Sequence, residues 1–231
     1  MTDTRETRSL RGRPLFRDRK GAGEVLAGCL AEYRDKNVIV LGIPRGGVPV
    51  AAEVARRLNA EMDIVVARKL GSPVSAELAI GAVTANGGCY LNEEIIRELQ
   101  VSGEYVERVT ETQREDARRR EERFRRGRPA PVIKDRVVIL VDDGLATGAT
   151  MRAAVRSARR AEPARLVVAV PVAPPQTCAD LREEADEVVC PYQPDPFWAI
   201  GLFYGDFEQV EDEEVTRLLE EVAQKSTTTV G

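Results

Sequence analysis

The apolar positions of this chain fall into short, nearly unbroken runs separated by stretches of helical period, and that contrast predicts a parallel sheet covered by helices. The runs at residues 38–43, 62–67, 137–141, 166–170 and 187–190 show little alternation, as expected of strands buried on both faces. Between them, Val25, Leu26, Cys29 and Leu30 share one helical face; so do Val50, Ala51, Val54, Ala55 and Leu58, and again Met151, Ala154, Val155, Ala158 and Ala161. Residues 174–184 predict a further helix, and Val215, Leu218, Leu219 and Val222 the last one. The alternation of strand and helix predicts an α/β fold built on a doubly wound parallel sheet.

Several segments interrupt that rhythm. Gly87 and Gly88 predict a hairpin joining strands at 79–84 and 89–91, after a mobile loop at 71–81. Asn92 predicts a cap for a helix at 93–99. Residues 104–126 form a long charged helical insertion in which Glu104–Arg108, Glu115–Arg119, Asp116–Arg120, Glu121–Arg125 and Glu122–Arg126 are spaced i,i+4. Its thin apolar side predicts a solvent-laced, projecting helix. Residues 191–207 gather aromatics and prolines after the last core strand. With no repeat and no linker, the expected organisation is a loose arm at 1–13, one domain at 14–225 and a tail at 226–231.

Composition narrows the chemistry. The 231 residues, 43% hydrophobic, suffice for one large α/β domain. The absence of an apolar run of membrane-spanning length or of a signal-peptide core predicts a cytoplasmic protein. Cys29, Cys89, Cys178 and Cys190 lack metal-binding spacing and read as small buried or half-buried residues. The chain has no His, which excludes imidazole bases, His triads and His metal sites. A net charge of −4 counts against a general nucleic-acid surface.

The most informative stretch is 137–151. A buried strand delivers Asp142 and Asp143 into a loop of small residues that opens a helix. Ala146, Gly148 and Ala149 leave backbone N–H groups free to meet a phosphate, and Thr147 and Thr150 add hydroxyls. The acids can accept hydrogen bonds from a ribose diol or hold a magnesium ion through water. The alternative is an ordinary turn capped by Thr147 with two solvated acids. The loop contains no Lys, so it is not a nucleoside-triphosphate P-loop. A second strand, loop and helix stands at Pro44, Arg45, Gly46 and Gly47, where a cation and open N–H groups suit an anion, or where glycines simply relieve a tight turn. Arg68 and Lys69 close the run at 62–67, either for a phosphate or as a solvated strand end.

Residues 138–150, Val-Ile-Leu-Val-Asp-Asp-Gly-Leu-Ala-Thr-Gly-Ala-Thr, resemble the phosphoribosyl diphosphate (PRPP) motif of type I phosphoribosyltransferases. Gly144 departs from it, standing where that family usually has an aliphatic residue. The resemblance implies that Asp142 and Asp143 contact the ribose hydroxyls, that Ala146, Thr147, Gly148, Ala149 and Thr150 cradle the 5′-phosphate, and that Mg²⁺ assists. It implies a pyrophosphate loop at Arg45, Gly46 and Gly47, entered through a cis or strained peptide, with Lys69 and Arg68 stabilising the leaving group. It further implies a flap near residues 71–91 and a hood, mainly 191–210, in which Phe197 or Trp198 stacks on a base and Asp195, Tyr204 or Asp206 reads its edge. Those aromatics could equally lock a loop or form the contact of a homodimer.

The activity implied is transfer of ribose 5-phosphate from PRPP to a nitrogenous base or amine, with release of pyrophosphate. Ala146 stands where transferases of 6-oxopurines usually carry Asp, so the acceptor is expected not to be a 6-oxopurine; adenine-type motifs share the Ala. Two alternatives stay open. One is a non-catalytic PRPP sensor that binds nucleic acid through the arginines of residues 114–128; the other is a magnesium-dependent phosphohydrolase.

Overall fold

A computed structural model describes residues 14–228. The arm expected at 1–13 lies outside the described residues. α1 (Arg19–Cys29) begins at Asp18, whose carboxylate accepts the Gly21 N–H at 2.7 Å. β1 (Val38–Gly42) is buried throughout and runs through residues 43–46 into α2 (Gly47–Leu58), which Asn59 closes in the left-handed conformation. After β2 (Glu61–Ile64), the chain makes β3 (Ala67–Gly71), β4 (Ala79–Thr84) and β5 (Cys89–Leu91), with Gly87 at φ 78° in the turn before β5. α3 (Glu93–Glu98) is capped by Asn92, as its sequence predicts, and α4 (Gly103–Arg125) by Ser102. Then follow β6 (Val137–Val141), α5 (Ala149–Arg159), β7 (Arg165–Ala169), α6 (Pro175–Leu181), β8 (Glu187–Val189), a 3-10 turn (Ile200–Phe203) and α7 (Asp212–Thr228), which carries helix into the segment expected to be a tail.

Five strands make one parallel sheet in the order β2-β1-β6-β7-β8. One face packs on α1, α2 and α7 through residues such as Leu26, Val54 and Leu219; the other packs on α5 and α6 through Met151, Val155 and Leu181. The strand order runs outward in opposite directions from β1 and β6. Their helices therefore leave on opposite faces, and a crevice opens between the two loops at the carboxyl ends of these strands. The doubly wound parallel sheet is the fold the apolar runs predict.

Two expectations are corrected. The apolar run at 62–67 is not one strand: β2 stops at Ile64, and Arg68 and Lys69 lie inside β3 of a separate antiparallel sheet, β3-β4-β5. Val65 and Val66 bridge the break while packing into opposite halves of the core, so the run stays apolar where the strand ends. Nor is α4 a projecting helix, because Ala117, Glu121 and Phe124 are buried and Phe124 joins the main core. Among its predicted i,i+4 pairs, Glu121–Arg125 forms at 3.0 Å, whereas Asp116 meets Arg68 and Arg126 meets Glu220. Arg125 also reaches Asp63 at 3.1 Å and the Ile64 carbonyl, and Glu121 accepts the Val66 N–H. Buried charge thus fastens α4 to the β2–β3 crossing.

Candidate active site

The crevice is built by two adjacent strands that end in register, Gly42 beside Val141. Ile43 N–H still bonds the Val141 carbonyl at 2.9 Å, and the loops then run side by side. A Cβ on Gly47 would lie 2.7 Å from the Val141 carbonyl oxygen and 2.8 Å from Asp142 Cα; one on Gly46 would lie 2.0 Å from Asp143 Oδ2. Both glycines therefore serve a close approach between this turn and the paired acids, which relief of the turn alone would not require. The Pro44–Arg45 peptide is cis, as the family resemblance implies.

The two acids differ in setting. Asp143 is buried, its side chain only 11% exposed, and its Oδ2 accepts a hydrogen bond from Arg19 Nε at 2.8 Å. Its carbonyl accepts the Tyr204 hydroxyl at 2.5 Å. Asp142 is half-buried, and its Oδ1 accepts the Asp143 N–H at 2.9 Å. Burial raises both carboxyl pKa values; the neighbouring Asp143 adds to the rise at Asp142, while Arg19 opposes it at Asp143. Arg19 is the site residue that sequence reasoning missed, because periodicity marks it only as the start of an amphipathic helix.

The small-residue loop also takes a specific form. Leu145 N–H bonds the Val172 carbonyl, and Thr177 Oγ1 donates to the Ala146 carbonyl at 2.8 Å. Gly148, at φ 72°, is the N-cap of α5 and supplies no side-chain cap. Thr147 is therefore not a capping residue, and the first-turn N–H groups of α5 face outward without one. Ala146 and Thr147 are exposed, Thr150 is half-buried, and Gly148 and Ala149 are buried. The departure at Gly144 has a steric cause: a Cβ there would sit 2.7 Å from Ile200 Cγ2 and 3.1 Å from Val172 Cγ1.

An open cavity of about 540 Å³ joins Pro44, Arg68, Lys69 and Thr150, so the structure brings the start of the first loop, the basic pair and the start of α5 to one space. Lys69 is exposed, while Arg68 pairs with Asp116 at 2.8 Å. The Arg45 guanidinium instead turns to Asp212 at 3.5 Å and Glu211 at 3.7 Å. In the hood, Phe197 packs on Phe203 with ring centroids 5.3 Å apart, and Trp198 is 77% exposed. The Tyr204 hydroxyl, expected to read a base edge, is committed to Asp143. Among the described residues no cluster of three or more His, Cys, Asp or Glu could hold a metal ion. Asp142 and Asp143 still fit magnesium in the manner of a cation that keeps its waters and takes further oxygens from a phosphorylated substrate.

A crevice at the switch point of the sheet, with paired acids, an uncapped helix start and a glycine turn against the acids, defines a ligand-binding protein of the doubly wound α/β class. The chain belongs to the phosphoribosyl transferase domain family, whose model matches residues 19–206. It is 45% identical over 206 residues to a protein of Mycobacterium tuberculosis H37Rv with the provisional name phosphoribosyl transferase Rv0571c; the match covers 89% of this chain and 46% of that protein. The counterpart in strain CDC 1551 matches equally. The chain thus spans about half the length of the curated relatives it matches. The crystal structure of the Thermus thermophilus protein TT1426 is 47% identical, with a TM-score of 0.76, covering 89% of this chain and 98% of that one. No helix among the described residues is long and apolar enough to cross a membrane.

Proposed function

We propose that this chain transfers ribose 5-phosphate from PRPP to a nitrogenous acceptor, releasing pyrophosphate. The observation that carries this reading is the packing of the Gly46–Gly47 turn directly on Asp142 and Asp143, which sets a pyrophosphate-suited loop beside a diol-suited pair of acids. The uncapped start of α5 receives the 5′-phosphate through its N–H groups and the Thr147 and Thr150 hydroxyls. Asp142, the more accessible acid, accepts from the ribose hydroxyls. Lys69, Arg68 and the N–H groups of Arg45 and Gly46 meet the leaving group, the Gly47 N–H being bonded to the Ile43 carbonyl; Arg45 contributes its backbone here, its guanidinium being held by Asp212. As the bond from C1 to the pyrophosphate oxygen breaks, positive charge grows on the ribose and negative charge on the pyrophosphate. Fixed charges and orientation suffice for that step, so a chain without His can perform it. Magnesium, held by Asp142 and Asp143 directly or through water, would supply further neutralisation of the phosphate charge.

Pyrophosphate release on mixing PRPP with a panel of bases tests the reading; salt-dependent RNA binding without release would instead favour the sensor. The arginines that would serve such a sensor are largely engaged within the chain: Arg114 with Glu111, Arg123 with Asp212, Arg125 with Asp63 and Glu121, and Arg126 with Glu220.

Two expectations accompany the proposal. Asp143→Asn weakens PRPP binding at least tenfold, about 1.4 kcal/mol, because the anion that accepts from Arg19 beside the Gly46 turn is lost; unchanged affinity by calorimetry would remove Asp143 from the site. Hypoxanthine and guanine are poor acceptors, because the Ala146 methyl can neither accept nor relay a proton and its carbonyl is occupied by Thr177. A kcat/KM for either of about 10⁴ M⁻¹s⁻¹ or more would contradict this.

A further inference from the structure

Arg19 lies outside every motif, yet its guanidinium is used on several sides. Nε donates to Asp143 Oδ2 at 2.8 Å with both side chains largely buried, Nη1 donates to the Glu208 carbonyl at 2.7 Å, and the planar face covers Phe207, the guanidinium carbon 3.9 Å from the ring centroid. The side chain is anchored from behind. α1 lies so close to α2 that a Cβ on Gly23 would stand 2.8 Å from the Val50 carbonyl oxygen and from Glu53 Cβ. In front, the Gly46 turn closes on the ion pair, since a Cβ at Gly46 would stand 2.0 Å from Asp143 Oδ2 and 3.3 Å from Arg19 Nε. The hood therefore grips Asp143 twice, by the Tyr204 hydroxyl on its backbone and through Arg19 on its carboxylate.

We infer that Arg19 is a positioning residue for the reaction, fixing Asp143 against the Gly46 turn and tying hood residues 207 and 208 to that same acid. The inference rests on the transferase reading above. A lysine ammonium can supply the charge to Asp143, but it has no flat face for Phe207 and no rigid fork to hold Asp143 and Glu208 in fixed directions. The two functions of Arg19 are thereby separable.

The test measures PRPP binding by calorimetry and steady-state constants for an acceptor that supports turnover, in wild type, Arg19→Gln, Arg19→Lys, Asp143→Asn and the Arg19→Gln/Asp143→Asn double variant. Arg19→Gln is expected to weaken PRPP binding about tenfold or more, the scale of one charged hydrogen bond. Arg19→Lys recovers most of that affinity while the acceptor KM stays raised, a split that general loosening of the fold would not produce. The double variant binds PRPP no worse than Asp143→Asn alone, since both substitutions remove one linkage. Wild-type affinity in Arg19→Gln, no recovery in Arg19→Lys, or multiplying losses in the double variant would each overturn the inference. If Arg19→Gln fails to fold, the Arg19→Lys split decides alone. A wild-type chain that fails to bind PRPP removes the transferase reading and this role with it; a wild type that binds, with Arg19→Gln unchanged, removes this role only.

Discussion

Arg125→Met is expected to lower the folding free energy at neutral pH by about 3–5 kcal/mol, the cost of removing one partner from a buried charge group. Arg125 is the cation between Asp63 and Glu121, whose side chains are 10% and 7% exposed, and methionine keeps its bulk without its donors. The loss should depend on pH in a defined direction. Burial raises the folded-state pKa of Asp63 and of Glu121, and Arg125 is the principal opposing influence on each. A carboxyl with a raised folded pKa binds its proton more tightly folded than unfolded, so its effect on stability worsens as pH rises from the unfolded value through the folded one. Removing Arg125 pushes both values further up. The deficit of Arg125→Met is thus greatest near neutrality and shrinks as the medium is acidified into the carboxylate range. Urea titrations at several pH values read this directly, and a pH-independent deficit would show that packing rather than charge fixes α4.

Gly46→Ala is the second large effect: PRPP affinity falls at least about 100-fold, or about 2.7 kcal/mol. The new methyl would begin 2.0 Å from Asp143 Oδ2, and the carboxylate has little room to yield because Arg19 holds that oxygen. Gly144→Ala is an informative contrast. Its Cβ would meet side-chain atoms of Ile200 at 2.7 Å and Val172 at 3.1 Å rather than either acid of the site, so a smaller loss of PRPP affinity is expected there. Calorimetric affinity for Gly46→Ala close to wild type would mean that the two loops do not serve one ligand.

The parts of this site visible in the sequence are those a local pattern can carry. The strand at Val137–Val141, the acids after it and the small residues opening α5 announce themselves within one continuous stretch, as does the Pro44-Arg-Gly-Gly turn. Their union in one crevice follows from the alternation of strands and helices, because a doubly wound sheet places such loops at one edge. The break at Val65 and Val66 was hidden, since a chain passing between two apolar clusters looks like an unbroken strand. Arg19 was hidden for another reason: its acid lies 124 positions away, and no periodicity distinguishes a buried guanidinium from a solvated one. The diversion of Arg45 to Asp212, 167 positions distant, is of the same kind. For Phe197 the sequence leaves a base-stacking ring and a loop-locking ring equally open, and its packing on Phe203 is of the loop-locking kind.

The pairing of residues 16 and 17 with the hood bears on how this architecture can be recombined. Phe16 N–H bonds the Phe203 carbonyl, Gly205 N–H bonds the Phe16 carbonyl, and Asp206 N–H bonds the Arg17 carbonyl. The hood is therefore a composite of segments from opposite regions of the chain, not a cassette between β8 and α7. A chimera that imports residues 191–210 from a relative while keeping its own residues 14–19 would keep these backbone pairings but mismatch the side chains around them, such as Phe16 against Tyr192 and Tyr204. Under the proposed reading, in which the hood covers the acceptor, an exchange of acceptor selectivity between relatives is expected to succeed only when both segments travel together.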